Sequence, residues 1–430
     1  MKTNDLCHVP FKYVMKRGEK ISESISSTDR SDRVRRRNLW SQIIMNIIHG
    51  FGLSAFNVVL QPFIVNFTGS LFFTGIIISI SSIMQFLPMP FIGKLADKYG
   101  LKNIWLFGPP IYAFGLIILI FTNNIPILIV GVLTYMLGAM VSSLNFQIFV
   151  SENSGENKKG IMYGLVFFAF FGGSIGGTSL VMLDLGFSYQ FYFQVFIIIL
   201  ILEWLILVLI IRSPDAIIKH RELDLIKSVE LKQKKATKLF QNPKIKVATI
   251  FFTLDVFVWG IALSIYNAGL TTYYHFTPAE IASIAVWFHI SNMVSQIPAG
   301  RIADKIGEKK SLIISQIFGM VFFSMNILIS VLWSQGITGF AFPGLIIGEI
   351  FFGIAVTTFI PSEQMTLTNL DDSRKAESYG IVAFIRGIGM MPTGAIGGFL
   401  AENVHYIAPF AVALVGLGFE IWFLAKYFKD

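Results

Sequence analysis

Twelve runs of apolar residues, each about long enough to cross a hydrocarbon core of about 30 Å as a helix, dominate this chain of 430 residues. They cover 39–65, 70–92, 104–121, 126–149, 160–183, 189–211, 247–270, 278–299, 311–333, 338–361, 377–400 and 405–427. One such run can be a buried core helix, but a soluble core has no use for twelve. Charged residues are only 14% of the chain and gather between the runs. The expected fold is an all-α integral membrane protein with twelve transmembrane helices.

Orientation follows from the basic residues. Apart from Arg386, the 34 Lys and Arg residues fall in the two tails or in the loops after spans 2, 4, 6, 8 and 10. Loops on the other side, such as NFTGS, TNNIP and TTYYHFTP, carry none. The positive-inside rule predicts both termini in the cytoplasm, in a multi-pass protein of the cell membrane. The net charge of +8 then belongs beside an anionic leaflet, so RSDRVRRR at 30–37 reads as a juxtamembrane segment and no nucleic-acid partner is expected. The tail lacks the apolar core of a signal peptide. Cys7 is the sole cysteine, which excludes an internal disulfide and a cysteine-held metal, and no cofactor is expected.

The chain also repeats itself. GKLADKYGLKN at 93–103 returns as GRIADKIGEKK at 300–310. LSAFN at 53–57 matches LSIYN at 263–267, Ser151-Glu152 matches Ser362-Glu363, MYGLVFF at 162–168 matches SYGIVAF at 378–384, and Glu203-Trp204 has a looser echo in Glu420-Ile421-Trp422. Six spans per half make the repeats parallel, related by an axis along the membrane normal. The expected organisation is a basic tail at 1–38, one six-helix bundle at 39–212, a linker at 213–246 and a second bundle at 247–430. Within the linker Ile218, Ile226 and Val229 recur at near-helical spacing among lysines, the pattern of an amphipathic surface helix.

Two six-span halves, a basic central loop and G-x-L-A-D-K-x-G after span 2 resemble the major facilitator superfamily. The resemblance covers 39–430 and implies a transporter working by alternating access on a small-molecule solute, expected here as a monomer. It also implies a latch that closes the cytoplasmic side, formed by Gly93, Asp97, Lys98, Gly100 and Lys102, with Gly300, Asp304, Lys305, Gly307 and Lys309 as its weaker counterpart. Gly93 and Gly100 would allow a tight turn. Asp97 would face the N-terminus of span 11, where unpaired N–H groups and about half a positive charge welcome a carboxylate. The bland alternative is that these charges only hold the loop in the cytosol. Thr134 stands where proton-coupled members carry an Arg before Gly138, and GGSIGG at 172–177 lacks the proline of the antiporter pattern.

Charges at bilayer depth need a partner or a cavity. Arg386 lies about ten residues, or about 15 Å, into span 11. Asp255 in span 7 and Glu349 in span 10 are the expected partners, either for structure alone or for coupling. His49 shares a face of span 1 with Asn46 and Asn57, as a protonatable group or a hydrogen-bonded core histidine. His289 carries the same ambiguity beside Asn292 and Gln296 in span 8. Asp255 shares its face with Trp259 and Tyr266, and Asn145 lies on a small-residue face with Gly138 and Ser142. In the resemblance, spans 1, 4, 7 and 10 line the cavity and spans 2, 5, 8 and 11 flank it, making Asn46, Asn57, Asn145, Trp259, Tyr266, His289 and Asn292 its candidate polar and aromatic wall. Glu203 and Glu420, on the peripheral spans 6 and 12, are expected to snorkel or to find a local partner.

No Walker-type G-x-x-x-x-G-K-[ST] occurs. The expected function is secondary active transport of a small organic solute, proton-coupled and leaning to efflux. Alternatives are an uptake carrier for an organic anion, held by Arg386 or protonated His49, and a non-transporting receptor on the same fold. An enzyme is not expected.

Overall fold

The computed structural model describes residues 11–153, 159–212, 243–368 and 375–428. The amphipathic helix expected in the linker lies outside them. Helix α1 (Phe11–Thr68) opens the first bundle, followed by α2 (Leu71–Phe86), α3 (Met89–Tyr99), α4 (Leu101–Trp105), α5 (Gly108–Ile120), α6 (Ile125–Asn153), α7 (Lys159–Met182) and α8 (Tyr189–Leu209). The second bundle comprises α9 (Pro243–Leu263), α10 (Tyr266–Thr272), α11 (Pro278–Ile306), α12 (Glu308–Ser334), α13 (Ala341–Thr368), α14 (Lys375–Met390), α15 (Thr393–Asn403) and α16 (Ala408–Tyr427). The tail is thus helical from Phe11, and α1, at 58 residues, far exceeds what a membrane crossing requires.

Four spans are built from two helices each. Pro88 separates α2 from α3 and Pro392 separates α14 from α15, as expected of a residue that lacks an N–H and crowds the preceding turn. The pairs α4–α5 and α9–α10 complete spans 3 and 7. Among the described residues eleven segments are long and apolar enough to cross a membrane. The remaining span, α11, has ample length at 29 residues. Its middle is diluted by His289, Asn292 and Gln296.

The repeated island forms the same turn twice. Gly100 (φ 89°) and Gly307 (φ 84°) end α3 and α11, each returning its N–H to the carbonyl of the motif alanine, Ala96 or Ala303. That left-handed backbone suits glycine. Gly93, expected to share in the turn, instead lies inside α3, as its counterpart Gly300 lies inside α11, each with open space where a Cβ would sit.

The bundles meet along two helix pairs, α2 with α15 and α7 with α11, and α1 also touches α10. The approach of α2 to α15 is close. A Cβ on Gly75 would sit 2.0 Å from the Gly394 carbonyl oxygen, and one on Gly398 would sit 2.5 Å from that of Leu71. Small residues permit this backbone contact.

Candidate functional site

Among the described residues, the hydrogen bonds that join the bundles gather at the end opposite the motif loops. Glu402, at the end of α15, accepts from Ser70 Oγ at 2.6 Å and from the Phe72 N–H at 2.7 Å. Its carboxylate therefore occupies the N-terminus of α2, where unpaired donors and the helix dipole favour an anion. Ser79 Oγ accepts from the Ala395 N–H at 2.7 Å. Gln61 donates to the Leu263 carbonyl at 3.2 Å and accepts from the Ala268 N–H at 3.3 Å, and Asn267 donates to the Asn57 carbonyl at 3.4 Å. At the motif end, α3 packs on α4 and α6 of its own bundle. The molecule is closed at the end away from the motif.

Two of the motif lysines, Lys102 and Lys309, do something the sequence did not suggest. Lys102 Nζ donates to the Ile211 carbonyl just past α8, and Lys309 Nζ donates to the Ala425 carbonyl in the last turn of α16 at 3.2 Å. Each cation caps the C-terminal end of the final helix of its own bundle, where helix dipoles favour positive charge. In this structure both lysines are thus held within their own bundles. Lys98 lies over the Tyr99 ring at 4.9 Å and Lys305 is exposed. The side chains of Asp97, Asp304 and Asn145 fall outside the described residues.

Buried charges also pair differently from expectation. Arg386 bonds Glu363, not Glu349 or Asp255. Glu363 lies 14 positions beyond Glu349 on α13, about 21 Å along the axis. The guanidinium reaches toward the motif end of that helix, while its charge still acts on Asp255. The pairing was latent in the Ser362-Glu363 echo, read only as a repeat marker. Asp255 accepts from Gln316 Nε2 at 2.9 Å, a partner on another span that the face of span 7 alone does not reveal. Glu349 is buried beside Tyr266. Glu203 and Glu420 are both buried and do not snorkel; Glu203 has a local partner, as the other expectation had it, in His49 Nδ1 at 2.8 Å. Phe196 and Phe170 flank that imidazole. Asn46, expected on the cavity wall, is buried and donates to the Gln42 carbonyl of its own helix at 2.8 Å. Asn57 is exposed.

Among the buried side-chain polar atoms without a hydrogen-bond partner, four lie on α11 and four on α1, at Arg37 and Gln42, with the others scattered. His289, Asn292 and Gln296 lie at helical spacing on one stripe. Buried atoms of all three lack hydrogen-bond partners: Nδ1 of His289, both side-chain polar atoms of Asn292, and Oε1 of Gln296. Such orphans are uncommon in native interiors and mark places where water or a ligand is received. The stripe stands at the bundle interface, since Phe171 of α7 meets the rings of Phe288 and His289 at 6.3 and 6.2 Å. From Phe288 an aromatic stack continues through Phe352 (4.7 Å) to Phe322 (4.8 Å) and Trp259 (5.3 Å from Phe352). Polar atoms for orientation beside a wide apolar wall is the usual makeup of a site for an organic molecule.

The family model of the Major Facilitator Superfamily matches residues 43–254 and again 247–430. The chain belongs to that superfamily. Multidrug resistance protein 2 of Bacillus subtilis (strain 168) is 22% identical over 359 residues, covering 81% of this chain and 86% of that protein. Multidrug resistance protein MdtG of Escherichia fergusonii is 24% identical, covering 81% and 82%. Among solved structures, nucleoside transporter NupG aligns with a TM-score of 0.68 at 16% identity, over 90% of this chain and 98% of that one. This likeness shows the fold. The protein is a multi-pass membrane transporter, not an enzyme.

Proposed function

We propose that this major facilitator transporter exports a small, largely apolar organic solute by rocking its two bundles about the α11 stripe, driven by an ion gradient. The observation that carries this reading is the row of orphaned polar atoms on His289, Asn292 and Gln296, set against aromatic rings at the bundle interface. Both curated relatives named above are called multidrug resistance proteins, which favours efflux. The organic-anion alternative loses support, because Arg386 and His49, its intended anchors, are each engaged by a glutamate. The test is solute movement in proteoliposomes under imposed proton and sodium gradients. Uphill export of amphipathic organic compounds, reduced severalfold in an Asn292→Ala, Gln296→Ala double variant, is expected. Transport unaffected by that change would place the solute elsewhere.

In this reading the motif loops face the cytoplasm and the structure is an inward-facing state. Two reciprocal clasps then act on one helix pair. Glu402, from the end of span 11, sits on the start of span 2, while Asp97, from the end of span 2, would sit on the start of span 11 when the other face closes. Each carboxylate is worth roughly 0.3–1 kcal/mol from the dipole alone, up to about 2 where partly buried. Glu402→Gln should therefore shift the population outward-open and Asp97→Asn inward-open. Spin-label distances across each end report both. Shifts in the same direction, or none, would refute the pairing of clasps.

A further inference from the structure

The last helix of each bundle carries a buried glutamate packed against the bundle's first span. In the first bundle this is Glu203 on α8, and it meets a base, His49 on α1, at 2.8 Å. In the second it is Glu420 on α16, fully buried, with neither carboxylate oxygen hydrogen-bonded. The span that α16 packs against, α9, carries another buried acid, Asp255. Gln316 of α12, also fully buried, spends its Nε2 on Asp255 and leaves Oε1 without a partner. A group of buried oxygen acceptors with no donor to meet them is complementary to a small positive charge.

We propose that Asp255, Gln316 and Glu420 form a buried site for one small monovalent cation, a proton or a sodium ion, in the place that the His49 imidazole fills in the first bundle. Oxygen ligands suit either occupant, and carboxyl and amide oxygens suit sodium as a hard ion. The surrounding charges leave the need unmet. Arg386 on α14 acts on Asp255 but gives its ion pair to Glu363 of α13. Lys309 at the start of α12 is taken by the Ala425 carbonyl, and Lys426 of α16 lies over the rings of Trp422 and Tyr427. Glu402 of α15 is at the far end, bound to Ser70. The site joins spans 7, 9 and 12 behind the aromatic stack, since Trp259, one helical turn beyond Asp255 on α9, belongs to that stack. Occupancy can therefore be felt at the bundle interface.

This proposal supplies the coupling ion for the transport reading, but its test needs no transport. The purified full-length protein in detergent is titrated with acid in sodium-free potassium buffer, then with sodium chloride against potassium chloride at fixed ionic strength. Tryptophan fluorescence and the thermal midpoint are read. A proton site predicts a one-proton transition that Glu420→Gln and Asp255→Asn each abolish, with no sodium effect. A sodium site predicts a midpoint that rises with sodium, falls back as acid competes, and is flat in both variants. Folded variants that respond like the wild type to both ions overturn the proposal, as does a wild type that responds to neither, whether or not the variants fold. A protein that titrates as expected but moves no solute would refute the transport reading and leave the site standing.

Discussion

Glu363→Ala should destabilise the protein by about 3–5 kcal/mol, the usual penalty for stranding one member of a buried ion pair. Glu363 is 9% exposed at its side chain and Arg386 28%, so the carboxylate is cut off from bulk water and the guanidinium keeps only part of its hydration. Arg386→Ala should be damaging in the same way, because it leaves a buried carboxylate behind. Combining the two substitutions should recover part of the loss, since an apolar pair of suitable volume is often as stable as the ions it replaces. Thermal unfolding of both single variants and the double variant in detergent provides the cycle. Strict additivity would mean that the two groups do not interact in the folded protein. Glu349→Gln with Arg386→Ala is the control and should show no rescue.

Gly75→Val should block closure of the end opposite the motif. Its Cβ would lie 2.0 Å from the Gly394 carbonyl oxygen, and backbone cannot rotate aside as a side chain can. Gly394→Val meets the same wall from the other helix, 2.4 Å from the Gly75 oxygen. Overpacking costs about 1–3 kcal/mol, which corresponds to about a 5- to 150-fold loss of the closed population. Because the clash exists only while α2 and α15 touch, folding of each bundle should be spared. Transport should fall at least severalfold, with spin-label distances across that end increasing. Normal turnover with the helices still in contact would show that the closed geometry is not visited during the cycle.

Much of the architecture was legible before any coordinates. Run length and loop charge dictate helices across a bilayer, since an unsatisfied backbone has no other solution in hydrocarbon. The recurrence of the Gly-Ala-Asp-Lys island at matched positions gave two parallel halves, and its glycines at 100 and 307 gave the turns. The α11 stripe was readable from helical periodicity alone, because His289, Asn292 and Gln296 are separated by three and four positions.

The pairings were not legible. Which carboxylate meets Arg386 depends on where a long guanidinium points along a neighbouring helix, and periodicity gives faces without giving heights. Lys102 and Lys309 look like surface charges in a loop; only the packing of each bundle's last helix beside that loop turns them into caps. Glu402 looks like an ordinary polar residue at a span end, and it becomes a clasp because α15 brings it against the first turn of α2. Sequence by itself determined the medium this chain lives in, the number of crossings and the doubling, all of which follow from local composition and spacing. The tertiary structure decided the partners, because electrostatic and hydrogen-bond partners are set by distances of a few ångströms between segments tens to hundreds of residues apart.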